Sequence, residues 1–154
     1  MTSQLTCIEG GCHCRNIHID LLWPQSEQSI AIRNCSCSFC RKHGGAWTSH
    51  RDAELVAAID DWSRVSKYRF GTETADFTVC SVCGTVPFVA CDIDGQLYAV
   101  INVNSFKDFK EFSLTRSASN FDGEERGDRI ARRRRNWIPR LRIAAARRSG
   151  GPDS

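Results

Sequence analysis

Apolar and polar side chains alternate in two segments of the first quarter of the chain. Ile17, Ile19 and Leu21 alternate with polar residues, and Ile30 and Ile32 repeat the same two-residue period. This period is typical of a β-strand with one buried face, and each segment has one end beside a group of cysteines. The pattern therefore predicts two half-buried strands next to those cysteines.

A second β unit is predicted further along the chain. Residues 86–91 and 96–103 are rich in Val, Ile, Phe and Tyr, and Asp94-Gly95 between them is a strong signal for a tight hairpin turn. The stretch between the two units is ambiguous, because the apolar residues within 55–59 have the spacing of a helix whereas residues 66–70 suit a strand. We expect a strand at 66–70.

A chain of 154 residues supports one domain with a modest core, and small β-rich domains often gain stability from metal. We predict a mainly β domain over residues 8–125, followed by a basic C-terminal segment over 126–154 that is helical or irregular. Residues 149–154 are predicted to be disordered. No apolar run approaches the roughly 20 residues needed to cross a bilayer, so we expect no membrane association.

Seven of the nine cysteines form three tight clusters: Cys12 and Cys14; Cys35, Cys37 and Cys40; Cys80 and Cys83. Each cluster has the short spacing at which two thiolates can bind one ion. Gly84 follows the last pair, and a glycine at that position accepts the positive φ of a zinc knuckle. The spacing therefore predicts bound zinc.

A disulfide framework is the alternative for clustered cysteines. The cysteine count is odd, and the two cysteines of a C-x-C pair are too close for an unstrained bridge. The first eleven residues contain no basic stretch followed by an apolar run, as a secretory signal would. We therefore expect metal-bound thiolates and a cytoplasmic location.

Seven ligands divide into four and three. A closed structural zinc site takes four ligands, whereas a catalytic site keeps one position open. The first and third clusters could together form a closed site, the four-cysteine group (Cys12, Cys14, Cys80 and Cys83). The second cluster would then be an open site, the three-cysteine group (Cys35, Cys37 and Cys40). A fourth ligand from Cys7, Cys91 or His43 would make this second site structural as well.

Four motifs resemble those of a known family. Gly11-Cys12-His13-Cys14, the segment CSCSFCRK at 35–42, CSVCGT at 80–85 and Phe121-Asp122-Gly123 are similar, in this order, to the motifs of the glutathione-dependent formaldehyde-activating enzymes, a family that includes centromere protein V. The resemblance runs from about Gly10 to Gly123, and weakly into the arginine-rich segment. It implies a β-tent fold of two antiparallel sheets pinned by a structural zinc on the four-cysteine group. It also implies a second zinc on the three-cysteine group, hence two zinc ions per chain.

The activity that the resemblance implies is formation of a carbon–sulfur bond between glutathione and formaldehyde, which gives S-hydroxymethylglutathione; the reverse reaction is that of a lyase. Three thiolates leave a zinc site with a net charge of about −1, and such an ion still accepts a soft thiol as its fourth ligand. Cys35, Cys37 and Cys40 are therefore predicted to be ligands of the reactive zinc, not nucleophiles.

Glutathione carries two carboxylates, so its pocket should contain cationic side chains or backbone N–H donors. Arg41 and Lys42 directly follow the three-cysteine group and are candidates, although ordinary exposed charges would look the same. Trp47 could form a wall of the pocket or belong to the core. His43 could carry a proton or simply lie at the surface.

Two other functions fit the same residues. One is a non-catalytic protein: either a binding module with two structural zinc ions, which would serve a protein or nucleic-acid partner through its basic tail, or a glutathione carrier. A methionine sulfoxide reductase also carries C-x-x-C zinc pairs, but it needs a free catalytic cysteine on a late strand, for which Cys91 is the candidate.

Positive charge is concentrated at the C-terminal end. The chain has a formal net charge of +3, and eight of its 21 basic residues are arginines at or beyond position 132. We expect a solvated helix in which Glu125 and Asp128 pair with Arg129 and Arg132, four residues further on. A nucleic-acid or membrane-surface patch is the less favoured interpretation. The expected partners are therefore those that the family resemblance implies, a small thiol and an aldehyde.

Overall fold

Two β-sheets form most of the protein. The computed structural model describes residues 4–108 and 112–144. Within these ranges the strands are β1 (Leu5–Gly11), β2 (Ile17–Pro24), β3 (Ser29–Cys35), β4 (Ala46–Thr48), β5 (Glu54–Ile59), β6 (Val65–Tyr68), β7 (Asp76–Cys80), β8 (Phe88–Ile93), β9 (Gln96–Asn102), β10 (Ser113–Ser119) and β11 (Arg140–Ala144). The α-helices are α1 (Ser38–His43) and α2 (Arg126–Asn136), and short 3₁₀ turns cover Trp62–Arg64 and Val103–Ser105. The predicted mainly β class is confirmed.

The first sheet has four strands in the order β1-β2-β5-β11. The alternating segment at Ile17 is strand β2, and its apolar side chains are buried as predicted. Residues 54–59, for which the spacing also allowed a helix, form strand β5. This strand is flanked by β2 on one side and β11 on the other, and strands inside a sheet often read as apolar runs without alternation.

The second sheet has seven strands in the order β10-β3-β4-β9-β8-β7-β6. The predicted hairpin is present: β8 and β9 pair antiparallel from Ile93 and Gln96, and Asp94 and Gly95 both have positive φ (52° and 85°). This is the backbone of a two-residue hairpin turn. The strand expected at 66–70 is β6, which ends at Tyr68.

The sheets are not wholly antiparallel. β10 pairs parallel to β3, and β11 pairs parallel to β5, so each sheet is mixed. Both parallel strands come late in the chain, and each pairs with a strand from the first half of the chain. A local sequence pattern does not reveal such a pairing. The description as two antiparallel sheets therefore holds for most strands and is corrected for these two.

One apolar core joins the inner faces of the two sheets. Leu21 and Leu55 from the first sheet and Ile32 and Ile101 from the second are fully buried in it. Burial of one such side chain stabilises the fold by about 1.5–3 kcal/mol. Cys12 and Cys80 belong to the same cluster, so the four-cysteine group adjoins the core.

Residues 126–144 are an integral part of the fold. After α2, the backbone of Ile138 exchanges two hydrogen bonds of 2.9 Å with Ala99 in β9, and β11 then completes the first sheet. Trp137 and Ile138 are buried. The expectation of a helix is met by α2, whereas the predicted disorder of 149–154 lies outside the described residues. No helix of the described ranges is both long and apolar enough to span a bilayer.

Candidate metal centres and the adjoining cavity

The four-cysteine group comes together in space as its spacing suggested. Its four sulfur atoms all lie within 4.8 Å of one another, with 3.4 Å between Cys14 and Cys80 and 3.7 Å between Cys12 and Cys14. Sulfurs at the corners of a tetrahedron around zinc, about 2.3 Å from the ion, are about 3.8 Å apart. A disulfide needs about 2.05 Å. The donor set therefore fits a tetrahedral thiophilic ion such as zinc.

Local backbone geometry places these sulfurs. Cys12 and Cys14 lie in the turn between β1 and β2, where the backbone N–H of Ile17 donates to Cys12 Sγ over 3.2 Å. Gly11 approaches the same residue so closely that a Cβ would lie 2.2 Å from the carbonyl oxygen of Ile17. On the other side, Gly84 has φ +80° and its N–H donates to the carbonyl of Cys80. The predicted knuckle at Cys80 and Cys83 is therefore present.

The three-cysteine group is built around the start of α1. Cys35 ends β3, Cys37 is the N-cap residue of α1, and Cys40 lies in the first helical turn. Their sulfurs lie within 4.8 Å of one another, and the backbone N–H of Cys40 donates to Cys37 Sγ over 3.4 Å. The contact with the Cys40 side chain lowers the pKa of Cys35 to about 5.

No residue in the described part of the chain joins this group as a fourth ligand. Among the described residues, the set with mutually close ligand atoms contains the three thiols alone. Cys7 is exposed and contacts Asp20, whereas Cys91 is buried and contacts Arg133. His43 stacks on Phe39, and its Nε2 lies 3.4 Å from the carbonyl oxygen of Gly84. A metal ion on the three thiols would keep one coordination position for another molecule.

A cavity of about 380 Å³ opens at the three-cysteine group, and all three of its residues line the cavity. An apolar part of the wall consists of Trp47, Phe70, Phe77, Val89, Val100 and Trp137. The cationic part consists of Arg33, Arg129, Arg132 and Arg133. Asp122 is the single acidic side chain among the described residues of the lining. The cavity thus offers an anion-attracting wall beside three thiols that could hold a metal ion.

Trp47 has both of the roles considered for it. Its side chain is buried, and its ring forms part of the cavity wall. The indole Nε1–H also donates to Cys40 Sγ over 3.3 Å. This hydrogen bond orients the Cys40 thiol, as such bonds do for a metal ligand.

Three of the cavity arginines come from one face of α2. Arg129, Arg132 and Arg133 are spaced i, i+3 and i+4, which places them together on a helix surface. Arg129 and Arg132 pair with Glu124, at 3.6 and 3.0 Å, and the Arg132 guanidinium lies 3.6 Å from the ring centroid of Phe121. The predicted pairings of Glu125 with Arg129 and of Asp128 with Arg132 are wrong. Glu124 in the preceding loop lies beside both guanidinium groups instead. Hydrogen bonding to Arg132 lowers the pKa of Glu124.

Sequence reasoning missed these arginines as cavity residues and treated them as solvated charge. Their i, i+3, i+4 spacing just before the buried Trp137 is the signal that could have indicated one inward face. The candidates chosen instead, Arg41 and Lys42, lie in the last turn of α1. Both are exposed, and neither belongs to the lining of the cavity. Their role in substrate binding stays a prediction.

Comparison with known proteins shows the family of the chain. The family of glutathione-dependent formaldehyde-activating enzymes matches residues 7–119, well over half of the chain. The chain belongs to this family. Both cysteine groups lie inside the matched region, whereas α2 lies beyond it.

A solved structure of a Rhodobacter sphaeroides protein, from a structural genomics programme, is similar at 25% identity and a TM-score of 0.46. The match covers 70% of this chain and 99% of that protein. A search of curated proteins finds no match.

Proposed function

We propose that the protein is a zinc-dependent carbon–sulfur lyase or synthase that joins a thiol such as glutathione to a small aldehyde such as formaldehyde. The observation that carries this proposal is the three-cysteine group, which has no fourth protein ligand among the described residues and lies at a cavity with a cationic wall. Membership of the family supports the choice of thiol and aldehyde.

The three-cysteine group would hold the reactive zinc, and the four-cysteine group would hold a structural one, giving two ions per chain. When bound at Cys35, Cys37 and Cys40, zinc supplies a coordination position for the incoming thiol and lowers the pKa of that thiol. In the reaction the thiol sulfur bonds to the aldehyde carbon, and the carbonyl oxygen takes up the proton that the thiol has lost. The product is a hemithioacetal, and no other reactant is needed.

The side chains around the group bind and orient the reactants. The Trp47 N–H fixes Cys40, and the apolar wall excludes water from the reacting atoms. The cationic wall attracts a thiol that carries negative charge. Holding thiol and aldehyde together in one cavity makes the bond-forming step effectively unimolecular, which is the main advantage over the spontaneous reaction.

The four-cysteine group has a different task. It joins the β1–β2 turn to the end of β7, and so it connects the first sheet to the second. The free energy of binding a structural zinc contributes directly to folding. The nine cysteines are all unpaired in the structure, which favours a reducing location such as the cytoplasm.

Calorimetric titration of reduced glutathione into the two-zinc protein tests the proposal. We expect saturable binding at one site, no binding of S-methylglutathione, and acceleration of S-hydroxymethylglutathione formation over the spontaneous rate. Cys37→Ser should abolish thiol binding and reduce the zinc content, whereas Cys7→Ser, at an exposed cysteine outside both groups, should change neither. Full zinc occupancy and unaltered glutathione binding in Cys37→Ser would refute the assignment.

The alternatives fit less well. A module with two structural zinc ions requires a fourth ligand at the three-cysteine group, and the described residues supply none. A reductase requires an accessible catalytic cysteine, but Cys91 is 1% exposed and does not line the cavity. A non-catalytic glutathione carrier would show the same thiol binding without any acceleration of adduct formation.

A further inference from the structure

Two of the four cavity arginines pair with no acidic side chain of the described residues. Glu124 compensates Arg129 and Arg132, whereas Arg33 and Arg133 form no ion pair with a carboxylate of the described residues. Asp122 is exposed and is the single acid of the described lining. A guanidinium withdrawn from water that pairs directly with no carboxylate is unfavourable unless another anion comes to it.

Arg133 is the more deeply buried of the two, with 6% of its surface exposed. Its Nη1 donates to Thr74 Oγ1 over 2.7 Å and contacts Cys91 Sγ at 3.5 Å, while its Cζ lies 4.8 Å from the ring centroid of Trp137. These contacts fix the plane of the guanidinium group. Its Nε is buried and has no hydrogen-bond partner. The Nε edge of a guanidinium carries two parallel N–H donors, which is the geometry that binds a carboxylate through both oxygens.

Arg33 approaches the cavity from β3, two residues before Cys35. Residues i and i+2 of a strand point to the same face, so Arg33 lies beside the three-cysteine group. Its Nη2 donates to Ser49 Oγ over 2.9 Å, and Ser49 Oγ in turn donates to the carbonyl of Asn136 at the end of α2. Burial, with a further contribution from the nearby Arg132, lowers the pKa of Arg33. The two unpaired guanidinium groups thus share one wall with the thiols.

We infer that Arg133, assisted by Arg33, binds a carboxylate of the substrate thiol and so makes a carboxylate-bearing thiol the preferred substrate. This inference rests on the proposed function, since it assumes that the thiol sulfur binds at the three-cysteine group. It assigns substrate recognition to the cavity wall and not to Arg41 and Lys42, which are exposed outside the lining. Arg133 is a specificity-determining residue here: it contacts the charged end of the substrate, away from the reacting sulfur.

The test compares glutathione with glutathione diamide, which keeps the thiol, the amine and the size but lacks both carboxylates. Each is titrated by calorimetry into the full two-zinc protein. We expect wild type to bind glutathione at least about 10-fold more tightly than the diamide. Loss of a hydrogen bond to a charged group reduces an affinity by about this factor or more. Arg133→Gln should weaken glutathione binding by about 10- to 100-fold and leave diamide binding unchanged.

Arg135→Gln is the matched control, since Arg135 lies on α2 but is exposed and outside the cavity lining. It should keep the wild-type preference for glutathione. Arg33→Gln should reduce the preference by a smaller factor, and it replaces Arg133→Gln if the latter fails to fold or to hold two zinc ions.

The outcomes separate the inference from the proposed function. Equal affinities of wild type for glutathione and the diamide would overturn the inference while leaving the proposed function intact. Equal weakening of both ligands by Arg133→Gln would also overturn it, because the residue would then act on the fold alone. Failure of both thiols to bind wild type would overturn the proposed function, and the inference with it.

Discussion

Replacing Gly45 by alanine is expected to weaken the three-cysteine group without touching a cysteine. Gly45 lies between α1, which carries Cys40, and β4. A Cβ on Gly45 would lie 2.7 Å from Cζ2 and 2.8 Å from Nε1 of Trp47, closer than real Cβ atoms come to a neighbour. Since these atoms belong to a buried ring, the indole has to shift. The shift would break the hydrogen bond from Trp47 Nε1–H to Cys40 Sγ.

Two contributions set the size of the effect. Overfilling a packed site costs about 1–3 kcal/mol, and a hydrogen bond to a charged group contributes about 1.5–3 kcal/mol. A single ring movement causes both, so they do not add in full. We expect Gly45→Ala to lower the free energy of unfolding by about 2–4 kcal/mol. Loss of an outer contact to a metal ligand also lowers metal affinity by about 10- to 100-fold, which should appear at the three-cysteine group.

Urea unfolding of the two-zinc protein gives the first quantity, and competition with a chelator during stepwise zinc release gives the second. In Gly45→Ala the first zinc should leave at lower chelator concentration, whereas release of the second should change little. Gly127→Ala is the matched control. Gly127 lies in α2 with no atom within 4 Å of the position of a Cβ, and alanine is the better helix former by up to about 1 kcal/mol. This control should retain wild-type zinc release and equal or greater stability.

Wild-type zinc release from Gly45→Ala, together with an unchanged urea midpoint, would refute the reasoning. It would show that the indole moves at no cost and that its contact with Cys40 does not support the metal site. A loss of stability with zinc release unchanged would limit the role of Trp47 to packing.

Two further predictions concern the scaffold of the site. Asn102 is buried, and its side chain accepts from the backbone N–H of Ala46 and donates to the carbonyl of Val86. Asn102→Ala should therefore lower the free energy of unfolding, measured in urea, by about 2–4 kcal/mol. The control Asn104→Ala, at an exposed position, should lower it by less. The folded-state pKa of Glu124 is below its ordinary value of 4.5 because of Arg132, so the stabilisation is present above pH 4.5 and is lost as the pH falls through the folded-state pKa. The difference in Tm between wild type and Glu124→Gln should accordingly shrink on acidification from pH 7, and a difference independent of pH would contradict the role of this ion pair.

Local signals in the sequence predicted those parts of the fold that depend on near neighbours. The alternation at Ile17, the turn at Asp94-Gly95 and the knuckle at Cys80 each depend on a few consecutive residues, and each is present in the structure. The cysteine division into four and three also follows from ligand chemistry, and the sulfur positions agree with it.

Features that depend on distant segments were not predicted. Strand β11 pairs with β5 across more than 80 residues of chain, as Arg140 lies opposite Glu54, and its short sequence carries no distinctive period. The direction in which the arginines of α2 point depends on where this helix docks, which composition does not reveal. The role of Asn102 cannot be predicted from its neighbours in the sequence, because its partners, Ala46 and Val86, belong to separate segments.

The position of α2 separates, along the sequence, the arginines of the cavity wall from the two cysteine groups. Both cysteine groups lie within residues 7–119, whereas three of the four arginines in the cavity wall lie on a helix that begins at Arg126. On the assignment proposed above, substitutions on the inward face of that helix change which thiol is accepted and leave every cysteine of the two groups in place. The proposed bond-forming chemistry and the proposed choice of thiol would then evolve, or be redesigned, independently of each other.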